Sequence, residues 1–310
     1  MKCSAPKSTT KTTSTESIRN ERRPRRVRWA RRGWLLASLA CAGPTAAVDL
    51  ERGEYLLHAS GCVTCHTADD DGAAPLAGGH ALETPFGVFY TPNITPDPDT
   101  GIGRWSDDDF VNALWHGVAP DGSDYFPAFP YTAYTGMSRD DALAIKAYLL
   151  SLEPVRQENR AHELEWYLSS RLAAWIWKLI KFSPARFTPD PTRSDDWNRG
   201  AYLVRHLGHC GECHTPRDAL GGLLNERELA GNPAGPNGKK VPDITANRDT
   251  GIGHWSDSEI EFFLEMGMLP DGDFTGGAMS PVIDDNTSRL TTEDQQAIAA
   301  YLRTVPDGGT

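Results

Sequence analysis

Two short runs hold the residues best suited to chemistry, Cys62-Val63-Thr64-Cys65-His66 and Cys210-Gly211-Glu212-Cys213-His214. Cysteines three apart share one face of a helical turn, so both sulfurs can reach the two vinyl groups of one porphyrin. The histidine beside the second sulfur then lies under the iron, and imidazole is a good iron ligand. C-x-x-C-H is the signature of covalent haem c attachment. It predicts two haem c groups, one on Cys62 and Cys65 and one on Cys210 and Cys213, with His66 and His214 as proximal ligands. Paired cysteines also bind zinc. These two pairs, however, lie a domain apart, each at the same place in a repeat, which favours haem.

A second axial ligand decides whether a haem carries electrons or binds small molecules. Met279 stands seven residues beyond Gly272 in a Gly-rich loop before the last helix. A loop there can bend over a haem and lay a thioether on the iron, so Met279 is the expected distal ligand of the second haem. Met266 and Met268 compete from a helix end, where core packing is their simpler role. The first copy has Phe129 at the place equivalent to Met279, and Phe129 cannot ligate iron. The one methionine of that copy, Met137, precedes its final helix and is the expected ligand, with His116 as its rival. An open first iron is the remaining alternative. It would make the protein a haem enzyme with a labile site acting on a small oxidant or sulfur compound.

The elements that must position these groups come in two sets. Arg52-Gly53 with Tyr55-Leu56 recurs 147 residues later as Arg199-Gly200 with Tyr202-Leu203. The attachment runs recur at an offset of 148, and Thr100-Gly101-Ile102-Gly103 with Trp105-Ser106-Asp107 recurs at 150. A slowly drifting offset is the product of two copies of one unit with small insertions. Ser106 with Asp109, and Ser256 with Glu259, carry the S-x-x-D/E signature of a helix start. Gly117 and Gly267 supply the stops. Final helices are expected from near Ser138 and Thr291. Pro- and Gly-rich connections argue against a sheet and for long loops folded over the haem.

The expectation is an all-α chain of two tandem class I cytochrome c domains joined by a helical linker. Residues 1–47 read as a secretory signal peptide with a long basic leader. Residues 48–153 form the first cytochrome c domain, 154–196 an amphipathic helical linker and 197–305 the second domain. Within the linker, Trp166, Leu168, Leu172, Trp175, Ile176, Trp177, Leu179 and Ile180 fall at roughly helical spacing, with Arg171, Lys178 and Lys181 among them. Those charges disfavour a membrane-spanning helix. An inter-domain strut is the simpler reading, and peripheral membrane contact or a partner's groove is the sharper one.

Of the 31 basic residues 11 precede Val48, against 2 of the 42 acidic ones, so the remainder carries a formal charge of −20. Such a protein is not drawn to nucleic acid. Its field would instead steer basic redox partners. Cys3 and Cys41 fall in the leader, and every remaining cysteine belongs to an attachment run.

Further runs fix a resemblance: Gly53-Glu54-Tyr55-Leu56, Thr84-Pro85-Phe86-Gly87, Asn93-Ile94-Thr95-Pro96, Pro127-Ala128-Phe129-Pro130-Tyr131, and Gly208-His209-Cys210 into Cys213-His214-Thr215-Pro216-Arg217. Across nearly the whole chain after the leader, the sequence resembles the multihaem cytochrome c subunits of membrane-bound periplasmic dehydrogenases of the alcohol and gluconate type. The resemblance implies His66 and His214 as proximal ligands and methionines from the loops before each last helix as distal ones. It also implies a periplasmic electron-transfer protein rather than a catalyst, fed by a periplasmic or membrane-bound dehydrogenase and emptied by a cytochrome, quinone or oxidase. The chain departs from the three-haem subunits in lacking a third C-x-x-C-H and a C-terminal hydrophobic anchor.

Overall fold

The computed structural model describes residues 49–307, so the expected leader lies outside the described residues. Helix α1 (Leu50–Ala59) begins where the Asp49 side chain accepts from the Arg52 amide at 3.0 Å. It buries Leu56, Leu57 and Ala59, and Gly61 then turns the chain in the left-handed region (φ 67°) into α2 (Cys62–His66). Helix α3 (Asp107–His116) opens with a reciprocal box, Ser106 accepting from the Asp109 amide and the Asp109 carboxylate accepting from the Ser106 amide. Gly117 closes it at φ 58°. A short turn, α4 (Tyr131–Tyr134), leads into α5 (Arg139–Ser151), capped by Ser138.

A linker helix, α6 (Arg171–Lys181), separates this set from a second one built in the same order. Helix α7 (Asp195–Tyr202) leads to α8 (Gly211–His214), then α9 (Asp257–Met266) with the Ser256 and Glu259 box and the Gly267 stop. The α10 helix (Met279–Asp285) and α11 (Thr292–Leu302), capped by Thr291, complete the set. Every start and stop singled out in the sequence is where a helix begins or ends, because each is settled locally, between a side chain and the orphan amides of one turn.

First and last helices of each half cross at close range. A Cβ on Gly53 would stand 2.4 Å from the Ala144 carbonyl oxygen of α5, and one on Gly200 1.9 Å from that of Ala297 in α11. Glycine at these two repeat-related positions is therefore a packing requirement. Around the crossings, Leu56, Leu57, Ile145 and Leu149 join Leu203, Val204, Ile298 and Leu302 in one continuous buried apolar cluster.

The drift of the repeat from 147 to 148 has a structural cause. Leu203–Leu207 forms a π-helical turn directly after α7, whereas the corresponding stretch of α1 is plain α-helix. A π-turn absorbs one extra residue without shifting the chain beyond it. His206 thus stands four residues before Cys210 as His58 stands four before Cys62.

The all-α expectation needs correction. The chain is largely helical but holds a three-stranded antiparallel sheet, β1 (Ala81–Thr84), β2 (Gly87–Tyr90) and β3 (Glu163–Leu164), in that order. Thr84 pairs with Gly87 and Ala81 with Tyr90 around a tight turn, where the Thr84 hydroxyl donates to the Gly87 carbonyl at 2.8 Å. Pro85 and Gly87 read as loop residues, yet Val88, Phe89 and Tyr90 are of the type that fits a pleated surface. Strand β3 comes from the linker, so part of that segment is extended rather than helical. Before it, the linker lies over the first half, the Val155 carbonyl accepting from the Asn93 side-chain amide at 2.7 Å.

Candidate haem-attachment sites

The two attachment turns are built alike, contact by contact. His66 Nδ1 lies 2.8 Å from the Pro92 carbonyl oxygen, and His214 Nδ1 lies 2.8 Å from that of Pro242. A carbonyl only accepts, so each Nδ1 carries the proton and each Nε2 presents its lone pair. Burial lowers both imidazole pKa values below the usual 6.5, which keeps the rings neutral as ligands must be. This arrangement, a ligating histidine oriented through its other nitrogen, is the one a metal-binding imidazole requires.

The surrounding loop repeats as well. The Gly78 amide donates to the His66 carbonyl at 2.7 Å, and the Gly231 amide to that of His214 at 2.7 Å. Thr67 accepts from the Leu76 amide at 3.1 Å, and Thr215 from the Leu229 amide at 3.0 Å. Leu76 and Leu229 both sit at φ 63°, a left-handed conformation that a leucine adopts only at a cost of roughly 1–3 kcal/mol. Both leucines are buried, and the same strain recurs beside both attachment turns.

The four attachment cysteines form no disulfide with one another. Burial pushes Cys62 and Cys210 up to about 12, with Cys65 and Cys213 respectively adding to the shift. Cys213 rises to about 11, from burial first, then the Glu212 carboxylate and Cys65. Among the described residues no three His, Cys, Asp or Glu side chains gather as a metal site. The donor set fits haem c: two thiols on one helical face and, beside them, an imidazole with its Nε2 free.

The expected distal groups sit in unlike places. Met137 is wholly buried, its amide donating to the Tyr134 carbonyl and its carbonyl accepting from Trp115 Nε1, both at 2.9 Å. It belongs to the apolar cluster against which Cys62 and Val63 pack. Its rival His116 ends α3 half-buried, with its ring edge-on to Trp115 at 6.4 Å. Burial, then Arg186 and Lys178, lowers its pKa. Met279 is half-exposed and opens α10 shortly after Gly277, which is left-handed at φ 66°. Met266 is 45% exposed, so it is not the core residue its helix position suggests.

Several contributors escaped the sequence reading. The Pro92 and Pro242 carbonyls could have been found, because Pro92-Asn93-Ile94-Thr95 recurs at an offset of 150 as Pro242-Asp243-Ile244-Thr245. His209 lies between the two attachment turns. Its ring meets Tyr134 edge-on at 5.4 Å, and burial lowers its pKa. Tyr134, whose own pKa burial raises well above the usual value, donates to the Ser60 carbonyl at 2.5 Å.

Helical packing around a C-x-x-C-H turn with a carbonyl-oriented histidine defines a c-type cytochrome. Residues 50–153 match the family model described as cytochrome c. The chain belongs to this family, and its resemblance to dehydrogenase cytochrome subunits holds. It is 43% identical over 263 residues to a protein named diheme cytochrome c-type from Cereibacter sphaeroides, covering 83% of this chain and 86% of that one. It is 39% identical over 262 residues to the fructose dehydrogenase cytochrome subunit of Gluconobacter japonicus, covering 83% of this chain and 53% of that one. With the cytochrome c subunit of the alcohol dehydrogenase (quinone) of Gluconobacter oxydans it shares 37% identity over 304 residues, 92% of this chain and 62% of that one. The chain thus spans little more than half the length of these last two relatives.

Proposed function

We propose that this protein is a periplasmic dihaem cytochrome c that relays single electrons from a dehydrogenase partner to a downstream acceptor, a cytochrome, quinone or oxidase. The observation that carries this reading is the recurrence of one proximal architecture at His66 and His214, down to the strained leucine beside each. A turn built twice in the same way is built for the same group twice. Relatives named as dehydrogenase cytochrome subunits support the donor class. Each haem, when bound, supplies an iron that cycles by one electron between ferric and ferrous states. The chain's own work is to tether the group through two thioethers, hold the imidazole in one tautomer and lay Met137 or Met279 opposite. Intact mass and pyridine haemochrome absorbance of protein from the periplasmic fraction are expected to give two haems per chain. One haem or none, or protein retained in the cytoplasm with its leader attached, would overturn the reading. Carbon monoxide binding to the reduced protein tests the rival enzyme with an open first haem, since two methionine-ligated irons resist it.

We also propose peripheral membrane contact through α6. This helix is inside out. Leu172, Trp175, Ile176, Leu179 and Ile180 form one stripe at helical spacing, and all face solvent, Leu179 at 71% exposure. The opposite face is tied to the protein: Trp177 Nε1 donates to the Leu220 carbonyl at 2.8 Å, and Lys178 and Lys181 pair with Asp124 and Asp218. The strut and the surface readings thus describe opposite faces of one helix. With its lysines already paired and an acidic chain behind it, α6 would insert by apolar burial rather than charge attraction. Binding to phosphatidylcholine vesicles that persists in high salt and falls in Leu179→Glu is the expected result. Vesicle binding unchanged by Leu179→Glu would sink the proposal.

A further inference from the structure

The two halves exchange side chains in matched pairs. Tyr55 of α1 donates to Asp294 of α11 at 2.5 Å, and Tyr202 of α7 donates to Asp141 of α5 at 2.5 Å. Each phenol oxygen also accepts from the cap of the opposite helix, the Thr291 amide at 3.3 Å and the Ser138 amide at 3.0 Å. Each aspartate is held from its own half by an arginine, Arg52 on Asp141 and Arg199 on Asp294. Tyr55 and Tyr202, Asp141 and Asp294, and Arg52 and Arg199 are all repeat-related pairs. A second exchange lies nearer the attachment turns. His58 Nδ1 is 2.7 Å from the Asp285 carbonyl, and His206 Nδ1 is 2.9 Å from that of Ala133. Reciprocal contacts of this kind are the mark of an isologous, two-fold interface, here made within one chain.

At the centre of this interface the attachment turns touch. Gly61 immediately precedes Cys62, and His209 immediately precedes Cys210. Both are left-handed, at φ 67° and 38°. A Cβ on Gly61 would stand 3.3 Å from His209 Nε2, so the imidazole lies close beside the glycine, where a larger residue would crowd it. Tyr134 braces the contact from the first half, its ring on His209 and its hydroxyl on the Ser60 carbonyl. The π-turn is the element that allows this: it takes up the extra residue of the second half and leaves His206 in register with Ala133.

Resting on the dihaem reading, we propose that Tyr55 and Tyr202 are reciprocal positioning residues that fix the two cofactors in one mutual geometry, and that the Gly61–His209 contact is the route between them. The path runs from the Cys62 thioether along one peptide bond to Gly61, across the contact to His209, and along one peptide bond to the Cys210 thioether. In the step itself one electron leaves a ferrous haem, which becomes ferric, and reduces the ferric haem of the other half. No proton or bond is exchanged.

The test uses the full exported chain with both haems and compares it with Tyr55→Phe, Tyr202→Phe, the double variant and His209→Ala. Two haems held close at a fixed angle give a coupled, two-signed Soret circular dichroism band, a signature that general destabilisation short of unfolding would not move. The double variant is expected to lose most of this coupling, and inter-haem transfer after flash reduction is expected to slow several-fold. Each single variant should do so in part. His209→Ala is expected to keep the coupled band and slow the transfer. Haem content, ligand-field spectra and helical dichroism stay as in the parent. A double variant with two haems, an unchanged Soret couplet and an unchanged rate would overturn the positioning role, and an unchanged rate in His209→Ala would overturn the route. A parent protein with one haem fails the dihaem reading itself, and the route falls with it.

Discussion

His66 and His214 are each held by a repeat-related proline carbonyl at the same distance, while Met137 and Met279 share neither burial nor element. The proximal side is set by a short loop whose backbone must return to the imidazole, so there are few ways to build it and both copies use one. The distal side is reached by a longer excursion between α3 and α5, or α9 and α11. In the first copy α4 and Trp115 pin that excursion, and Met137 comes just before the final helix cap. In the second the cap at Thr291 is preceded by Leu290, and the thioether comes eleven residues earlier, at the start of α10. The proximal frame thus tolerates little variation, while the distal loop is free to differ, which under the proposed dihaem reading would set the two haems apart in potential.

The largest expected effect comes from breaking the side that the copies share. On the proposed reading His66→Ala or His214→Ala removes a proximal ligand, and each is expected to convert one of two haems from low-spin to high-spin, read by electron paramagnetic resonance. An unaltered low-spin count in either variant would deny that histidine its role. The distal comparison is next. Met137→Ala removes a wholly buried thioether and is expected to cost about 2–5 kcal/mol of stability as well as one low-spin signal. Met137→Leu conserves volume, so it should cost under about 1.5 kcal/mol and still lose that signal. Met279→Leu, at a more open site, should lose the other signal with a smaller change in urea midpoint. Retention of both low-spin signals in Met137→Leu would move the first distal ligand elsewhere, with His116→Ala as the next variant to examine.

The features legible in the sequence were local. The Ser106 and Asp109 box, the Gly117 stop and the C-x-x-C-H turn each involve residues within one or two turns, and spacing alone specifies them. The hairpin of β1 and β2 hid behind Pro85 and Gly87, whose turn role masks the strand-forming Val88-Phe89-Tyr90 beside them. The tyrosine clasp could not be read, because Tyr55 and Asp294 stand 239 residues apart and no period links them. Periodicity located the apolar stripe of α6 but not its direction, since a period carries no information about which side faces the protein. The Pro92 and Pro242 carbonyls lay within reach, because the repeat marks them, but a backbone acceptor has no side-chain signature to draw notice.

The clasp offers a titration at Asp294. Burial alone would raise the Asp294 carboxyl, but hydrogen bonds from Arg199 and Tyr55 outweigh it and hold the group below its usual value. A depressed carboxylate contributes stability that is present above the unfolded pKa of about 3.9 and is lost as pH falls through the lower folded value. Asp294→Asn is expected to destabilise the protein at pH 7 by about 1–2 kcal/mol, since the bonds to a charged acceptor are weakened at an edge partly open to solvent. The gap between variant and parent should begin to narrow as pH drops below about 4 and close once pH is below the lower folded value, where both carry a neutral group. A gap that stays constant down to about pH 3 would mean that Asp294 is not ionised in the clasp.

The smallest effect isolates the distal asymmetry. Trp115 donates to the Met137 carbonyl at 2.9 Å, and the repeat places the exposed Glu265 at its position in the second copy. The first distal strand is therefore anchored by an indole that the second lacks. Trp115→Phe keeps most of the apolar volume and removes the donor, leaving the carbonyl short of one partner at a cost of about 1 kcal/mol. Because Met137 stays in place on average but is held less firmly, the first low-spin signal is expected to persist and broaden, and carbon monoxide is expected to gain slow access to that iron alone. Glu265→Ala, the matched change in the second copy, is expected to do neither. If both variants behaved alike, the indole would have no part in holding Met137 over the first haem.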